Sequence, residues 1–498
     1  MKKTLVVLLA LVMVLSLCLT ASAKREDVTI ITQVSPDSLD PQGTTMMYAY
    51  QVLYNCFDSL MTRDVNNNIV PGLAESYTVS DDSKEFTFQL RKGVKFHNGA
   101  EMTADDVVFS FERAIGLSLA NTDIIEKVEA VGDYEVKITL KNPNAVFLSI
   151  LTLQTFFILN REATEAAGDS FGRNPIGTGA YKFVEWVEGE YVKLEAFEDY
   201  YLGAPEIKEA TYKFIGDSNT ALIAVESGDA DYTYVYPESA KEEVEFNDDL
   251  KLFNYNHSSL YFFTMNVKTE YLSNKLVRQA INLAANREDM VIVALEGNGR
   301  PSDQICNVGF FGYVDEVYYP HDVEKAKELL AEAGYPDGFT LHMIAQDEQD
   351  SKMAQVLADN LREIGINTEI EMQESNTAIA NYMAGNYEIG TLGIGNAMQD
   401  LDMQKRLFTP GNSLNLSQAD ESDEQLVKIY NTFVEASQVI DPDTRLEIYK
   451  GLNREIADAA YYVPAFFPYR SHLMSSSLDV EGIRPIGIVL VKELHWND

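Results

Sequence analysis

The sequence predicts an α/β fold with mixed sheets. Three observations carry this expectation. Phe339, Leu341 and Met343 alternate as a strand, Ala354, Leu357, Ala358, Leu361 and Ile364 recur at helical spacing, and Ile366, Thr368, Ile370 and Met372 alternate again. Such a strand–helix–strand unit of about 35 residues implies parallel strands joined by a right-handed crossover. Antiparallel-type alternation appears elsewhere, at 86–96 and 136–140, on either side of a well-capped helix. Finally, no run beyond the first 23 residues is apolar and long enough to span a bilayer.

From the start of the chain, Lys2 and Lys3 precede an almost wholly apolar run over 4–19, and Ala21-Ser22-Ala23 offers a small-x-small cleavage pattern. That order reads as a secretory signal peptide over 1–23. A membrane anchor is the competing reading, but the run is shorter than the ~20 residues a spanning helix needs. Cys18 follows Leu17, a poor residue before a lipid-modified cysteine. Cleavage after Ala23 is therefore expected, with a lipid anchor through Cys18 as the alternative. The mature chain is expected outside the cytoplasm, in the periplasm or at the cell surface.

Val28-Thr29-Ile30-Ile31-Thr32 is a β-branched opening strand. Phe86, Phe88 and Leu90, then Val94 and Phe96, form a strand pattern with a turn at Lys92-Gly93. Thr103 is a good N-cap, with Asp106 three residues on as in a capping box. Val107, Phe111, Ala114 and Ile115 share one face of the helix, and Gly116 is expected to end it left-handed. Val136, Ile138 and Leu140 alternate as a further strand, Gly365 stops the helix before Ile366, and helices are expected near 273–285, 322–333 and 442–460.

A chain of 498 residues exceeds what one core usually supports, so two or three lobes are expected. No low-complexity linker separates them. The net charge of −38 repels nucleic acid and anionic lipid, so neither is an expected partner. Loss of Lys2 and Lys3 makes the remainder more acidic still. Cys56 and Cys306, the two cysteines beyond the signal peptide, are expected as buried thiols rather than a disulfide framework.

Catalytic chemistry finds little support. Gly168-Asp169-Ser170-Phe171-Gly172 matches the pattern of a hydrolase nucleophile elbow, which needs a strand before the serine and a helix after it. Here a helix-like stretch precedes it and Arg173-Asn174-Pro175 follows. Six scattered histidines form no zinc motif, no phosphate loop is present, and Gly393-Ile394-Gly395 lacks the third glycine of a dinucleotide fingerprint. The chain is expected to be no enzyme, with neither cofactor nor metal.

Pro71-Gly72-Leu73-Ala74-Glu75-Ser76, then 86–99 (FTFQLRKGVKFHNG), then Thr103-Ala104-Asp105-Asp106-Val107-Val108-Phe109-Ser110 closely resemble the signature of the peptide/nickel-type extracellular solute-binding proteins, family 5. These serve ATP-driven (ABC) importers. Leu39-Asp40-Pro41, Pro175-Ile176-Gly177-Thr178-Gly179-Ala180-Tyr181, Tyr200-Tyr201-Leu202-Gly203-Ala204-Pro205 and Gly228-Asp229-Ala230-Asp231 agree in order and spacing. The resemblance covers about 28–495. It implies a periplasmic-binding-protein-like fold. Lobe I would comprise 24–60, 174–255 and 466–498, an inserted subdomain 61–173, and lobe II 256–465. Two crossing segments, near 254–259 and 462–468, would form the hinge. The resemblance also implies a monomeric receptor that closes on a short peptide or peptide-like solute and delivers it to a membrane permease and its ATPase.

One departure bears on the ligand. Peptide-binding members carry an aspartate that holds the ligand's amino terminus, and Ala397 stands at that position, with Ile394 replacing the usual aromatic. A neutral alanine cannot pair with a buried ammonium. A metal chelate, an oligosaccharide or an amine-blocked peptide is therefore the alternative ligand. A one-residue shift in the alignment would instead bring in Asp400 or Asp402, which otherwise read as caps of a helix beginning near Met403. Candidate contacts are Thr44, Thr45 and Met46 after the Leu-Asp-Pro motif, and Tyr232, Tyr234 and Tyr236, which alternate as if on one strand face. Asn256 and His257 lie at the first crossing, Asn396, Ala397, Met398 and Asp400 on the lobe II loop, and Arg470 beyond the second crossing.

Overall fold

The opening strand Asp27–Thr32 buries Val28, Ile30 and Ile31 and pairs in parallel with Glu209–Phe214 on one side and Tyr232–Thr233 on the other. The computed structural model describes residues 25–484 and 486–497. The expected signal peptide, with Lys2, Lys3, Cys18 and Ala23, lies outside the described residues. Glu209–Phe214 continues antiparallel to Tyr191–Ala196, which pairs in turn with Tyr181–Val187. Parallel and antiparallel pairs thus share one sheet.

A single strand of 14 residues, Tyr462–Ser475, joins this sheet to a second one. Its later half lies antiparallel to Leu250–Asn256 and to Tyr232–Thr233. Its earlier half lies antiparallel to Leu260–Met265. From there the second sheet runs through Ile389–Ile394 to Phe339–Ala345 and Ile366–Met372. The segment is aromatic and almost wholly buried on both faces, as a strand covered on both sides must be. Pro464 and Pro468 cannot donate to a ladder. The register shifts opposite Tyr261 and Phe262, beside Pro464, and the strand changes partner around Pro468. Two lobes with mixed sheets therefore meet at two crossing segments.

The strand–helix–strand unit predicted from periodicity is present. Phe339–Ala345 and Ile366–Met372 pair in parallel from Phe339↔Ile366 onward, with Glu348–Glu363 between them. Gly365 takes φ +90°, the left-handed turn that ends the helix, and its carbonyl leaves no space for a side chain at Gly338. The predicted helices appear as Lys275–Ala284, Val323–Glu332 and Pro442–Ala459.

A separate four-stranded antiparallel sheet forms the inserted subdomain, in the order Ala74–Val79, Glu85–Leu90, Glu135–Leu140, Ile125–Gly132. Phe86, Phe88, Leu90, Val136, Ile138 and Leu140 point to one core, against Val107 and Phe111 of the helix Ala104–Gly116. Each such buried side chain contributes roughly 1.5–3 kcal/mol. Val94 and Phe96 are buried in the same core, outside the strand. The capping box is formed: the Asp106 carboxylate accepts from the Thr103 amide at 3.0 Å. Gly116 is the last residue of this helix, but it is not left-handed. It stays helical, and the first positive φ, +54°, falls at Ser118, where the amides of Leu117, Ser118 and Leu119 fold back onto the carbonyls of Arg113, Ile115 and Ala114. The terminal carbonyls thus choose the left-handed position, two residues later than composition suggests.

Cys56 is a buried free thiol in the core with Leu53, Tyr212 and Tyr232. Cys306 is likewise free and buried, in the second lobe with Phe262 and Leu401. No helix among the described residues is long and apolar enough to cross a membrane.

Candidate ligand-binding site

The two crossings lie side by side. The His257 amide donates to the Pro468 carbonyl at 3.3 Å, and the Tyr469 amide donates to the Asn298 carbonyl at 2.9 Å. Lys241 of the first lobe reaches the Asn298 side chain at 3.0 Å. On one side of the crossing strand opens a groove of about 530 Å³ lined by Gln33, Tyr48, Tyr234, Tyr255, His257 and Arg470, among others. A second groove of about 630 Å³ is lined by Glu242, Glu245, Glu296, Glu348 and Lys352, and again by Arg470.

Strand register builds the first groove. Tyr255 stands opposite Arg470 in the antiparallel pair, and Phe253 opposite His472. The Tyr255 and His472 rings meet edge to face with centroids 4.9 Å apart. His472 is buried, and its Nδ1 contacts the Tyr232 hydroxyl. Burial pushes its pKa down to about 3, with His257 adding to the shift. His257 accepts from the Ser259 amide through Nδ1 at 3.2 Å. Burial first and the Arg470 charge second lower its pKa to about 4. Both imidazoles are therefore neutral at pH 7, which leaves Arg470 as the cation of this groove. No carboxylate is among the groove's lining residues. Gly487 closes one wall with φ +81°, and a Cβ there would stand 2.8 Å from the Tyr255 hydroxyl. Only glycine leaves the groove its shape.

Thr44 is buried, donating to Asp37 at 2.5 Å and accepting from the Met46 amide at 3.0 Å. Thr45 is exposed and Met46 is half-buried against the first-lobe core. None of these three is a groove residue, whereas the adjoining Met47 and Tyr48 are. The tyrosine strand is shorter than its alternation suggests: it covers only Tyr232–Thr233. The Thr233 hydroxyl takes the Val235 amide at 2.9 Å and so ends the ladder. Tyr232 lies wholly buried beneath the groove, and Tyr234 and Tyr236 line it. Asn256 is exposed at its strand end, and His257 lines the groove.

The lobe II loop faces the inserted subdomain. The Asn396 amide donates to the Asp400 carbonyl at 2.9 Å. The Met398 carbonyl accepts from Arg63 at 3.0 Å and Ser149 at 3.2 Å, and its side chain packs in the subdomain core. Ala397 and Gln399 border a small cavity with Arg63 and Arg484. Asp400 caps the 3-10 helix Leu401–Leu407 through the Asp402 amide, 2.8 Å, and accepts from buried Arg445 at 2.6 Å. Asp402 is buried, with its carboxylate 3.2 Å from Lys405.

Sequence reasoning passed over Gln33, Tyr48, Gln51 and Tyr255. The signal for Gln33 was available, since it directly follows the opening strand, and ligands of α/β sheets gather at strand carboxyl ends. Ser170 sits in the 3-10 turn Gly168–Arg173 after the helix Arg161–Ala167, donating to the Ala167 carbonyl at 2.7 Å. No strand leads into it, so the elbow geometry is not formed.

Two mixed-sheet lobes, two crossing segments and a groove at the crossing define a hinged binding protein. The family described as bacterial extracellular solute-binding proteins, family 5 Middle, matches residues 68–414, and the chain belongs to that family. Among curated proteins it is similar to the glutathione-binding protein GsiB of Pectobacterium atrosepticum, 31% identical over 351 residues, 68% of this chain and 67% of that one. GsiB of Shigella dysenteriae is 29% identical over 376 residues, 74% of this chain and 73% of that one. Among solved structures, HbpA2 from Haemophilus parasuis superposes with TM-score 0.87 at 23% identity, over 95% of this chain and all of that one. DppA from Helicobacter pylori, an ABC transporter-associated periplasmic binding protein in complex with the peptide STSA, superposes with TM-score 0.77 at 25% identity, over 95% and 99%. AgaA from A. tumefaciens R10, in complex with agropinic acid, does so with TM-score 0.75 at 26% identity, again over 95% and 99%.

Proposed function

We propose that this chain is the extracytoplasmic receptor of an ATP-driven importer, without catalytic activity of its own. It captures a short peptide or peptide-like solute between its lobes and hands it to a permease. The observation that carries the ligand class is Arg470: an arginine at the hinge that lines a groove walled by tyrosines, with no carboxylate among that groove's lining residues. Sites of this kind combine apolar walls with a few polar anchors. A solute carboxylate is the natural counter-ion for that guanidinium. Contacts made only when the lobes are closed shift an open–closed equilibrium, and the permease reads the closed shape. Relatives named for glutathione and crystallised with a peptide support this reading. We assign lobe I to 24–60, 174–255 and 466–498, the insert to 61–173 and lobe II to 256–465, and the working form to a monomer, cleaved after Ala23.

A second reading has its own support. The first groove offers no carboxylate for an ammonium, Ala397 stands where the family's aspartate is expected, and Asp400 is committed to Arg445. An amine-blocked peptide or a non-peptide acid fits that groove, and the agropinic acid complex of AgaA is a precedent in the fold.

Thermal unfolding with short peptides, each with a free and an acetylated amino terminus, tests the reading. Ligand at 100 times its Kd adds roughly 2.7 kcal/mol of stability. Equal shifts with both forms support a receptor anchored on the carboxylate. Shifts confined to free amines mean an acid holds the ammonium. No shift with either form sinks the peptide reading.

A further inference from the structure

One face of a strand pair carries the unpaired donors of the tyrosine-walled groove. Side chains alternate along a strand, so Arg470 and His472 share a face of Tyr462–Ser475, with Tyr255 opposite Arg470. His257 lies one residue beyond the strand Leu250–Asn256 and continues the alternation from Tyr255, while its amide carries the ladder on to the Pro468 carbonyl. The Tyr255 ring meets both imidazoles, with centroids 5.9 Å from His257 and 4.9 Å from His472. All four side chains line the same groove of about 530 Å³.

A neutral imidazole has one N–H and one bare nitrogen, and the partner of either nitrogen fixes the state of the other. His257 Nδ1 accepts from the Ser259 amide at 3.2 Å, so its proton sits on Nε2. His472 Nδ1 faces the hydroxyl of Tyr232, a wholly buried side chain whose hydroxyl has no other partner among the described residues. That hydroxyl satisfies its proton only by donating to Nδ1, which puts the His472 proton on Nε2 as well. Neither Nε2–H meets an acceptor among the described residues, and Arg470 makes no hydrogen bond or ion pair with any of them. His472 is only 2% exposed, and its Nε2 lies 4.0 Å from the position a Cβ would take at Gly487 in the groove wall. A buried donor without an acceptor is costly, so an acceptor entering the groove gains by meeting it. The Arg470 charge is felt at His257, whereas at His472 the effect added to burial comes from His257.

We propose that His257 and His472 are ligand donors that set specificity: a solute carboxylate lies between Arg470 and the His257 Nε2–H, and a neutral acceptor of the same solute, a peptide carbonyl, meets the His472 Nε2–H. This rests on the receptor reading given under Proposed function and narrows its ligand class. Arg470 and His472 are two residues apart on one strand, about 7 Å. An extended peptide repeats its carbonyls on one side at the same interval, so a tripeptide or longer chain with a free carboxyl end fits. An ammonium group would find only donors at these three positions.

Nitrogen NMR of the imidazoles in the ligand-free full chain reads the tautomers directly. Both histidines are expected as Nε2–H, and an Nδ1–H signal from either overturns the proposal without touching the receptor reading. Calorimetric titration supplies the second readout, using the tripeptide with the largest thermal shift, trialanine being the first tried, and its carboxyl-terminal amide. Wild type is expected to bind the acid more tightly. His257→Phe is expected to weaken binding of the acid about 10- to 100-fold, the worth of a hydrogen bond to a charged group, with a smaller loss for the amide. His257→Gln, whose side-chain amide can still donate, should recover part of that loss. Both Nε2–H signals should move on saturation with the acid; with the amide, the shift at His257 should shrink and that at His472 persist. These shifts carry the test alone should His257→Phe fail to fold. Equal losses for acid and amide in His257→Phe, or N–H signals unmoved at saturation, overturn the proposal and leave the receptor reading standing. Binding of no peptide by wild type overturns both.

Discussion

Arg445 donates to the Asp400 carboxylate at 2.6 Å inside the second lobe, and both side chains are more than 90% buried. Tyr449 completes the group, its hydroxyl 2.6 Å from Arg445 and 3.2 Å from Asp400. Burial pushes the Asp400 pKa up, and the Arg445 charge opposes that rise.

Removing one partner of such a pair strands the other charge, at about 3–5 kcal/mol. Arg445→Met is therefore expected to lower stability by that amount in urea titrations. The double variant Asp400→Asn with Arg445→Met should lose less than Arg445→Met alone. Equal stability of Arg445→Met and wild type would show that the pair is solvated after all.

The Gly177-Thr178-Gly179 stretch owes its glycines to close approach. A Cβ at Gly177 would lie 2.1 Å from the Cys56 carbonyl oxygen, and one at Gly179 2.5 Å from the Asn55 carbonyl oxygen. Backbone atoms cannot rotate away, so the helix end must shift. Gly177→Ala is expected to cost about 1–3 kcal/mol, measured as a fall in denaturant midpoint. Gly132→Ala is the control for space alone, since nothing lies within 4 Å of its Cβ position and its φ is not left-handed.

Asp106 serves two backbone donors, the amides of Thr103 at 3.0 Å and Arg161 at 3.1 Å. Asp106→Ala leaves both orphaned at the helix start. It is expected to cost more than the ~1 kcal/mol of an ordinary cap loss. Thr103→Ala should stay near that lower figure. Reversal of the two costs would contradict the assignment.

Acid should destabilise the protein through its buried imidazoles. Burial lowers His97 to about 4, His257 to about 4 and His472 to about 3, from an ordinary 6.5. The unfolded chain binds more protons than the folded one below 6.5, so this stability is complete above pH 6.5 and falls as pH drops towards 4 and 3. For His472 the loss at pH 5 is about 2 kcal/mol. Asp58 and Asp350, raised by burial to about 6, act in the opposite sense, since their contribution is lost as pH rises through 6. His472→Gln is expected to flatten the fall in Tm between pH 7 and 5, and an unchanged slope would count against this origin.

Much of the fold was legible from periodicity and caps. The strand–helix–strand unit at 339–372 and the Thr103 capping box are local, because 2.0 and 3.6 residue repeats and a side chain three residues from its amide depend only on neighbours. The site was less legible. His257 and Arg470 were singled out because they sit beside the crossings, and Tyr234 and Tyr236 because they alternate along the chain; these four line the groove. Tyr255 and Gln33 were missed because their role comes from pairing with Arg470 and from meeting Tyr48 across the chain.

The sequence by itself determined the α/β class, the element order and the family signature, since these follow from hydrophobic pattern and local backbone preference. Only the tertiary structure decided which charges are free. Asp400 looked available for a ligand until Arg445, 45 residues away, claimed it. Charge pairing acts through space at a few ångströms, and the distance along the chain carries almost no information about it.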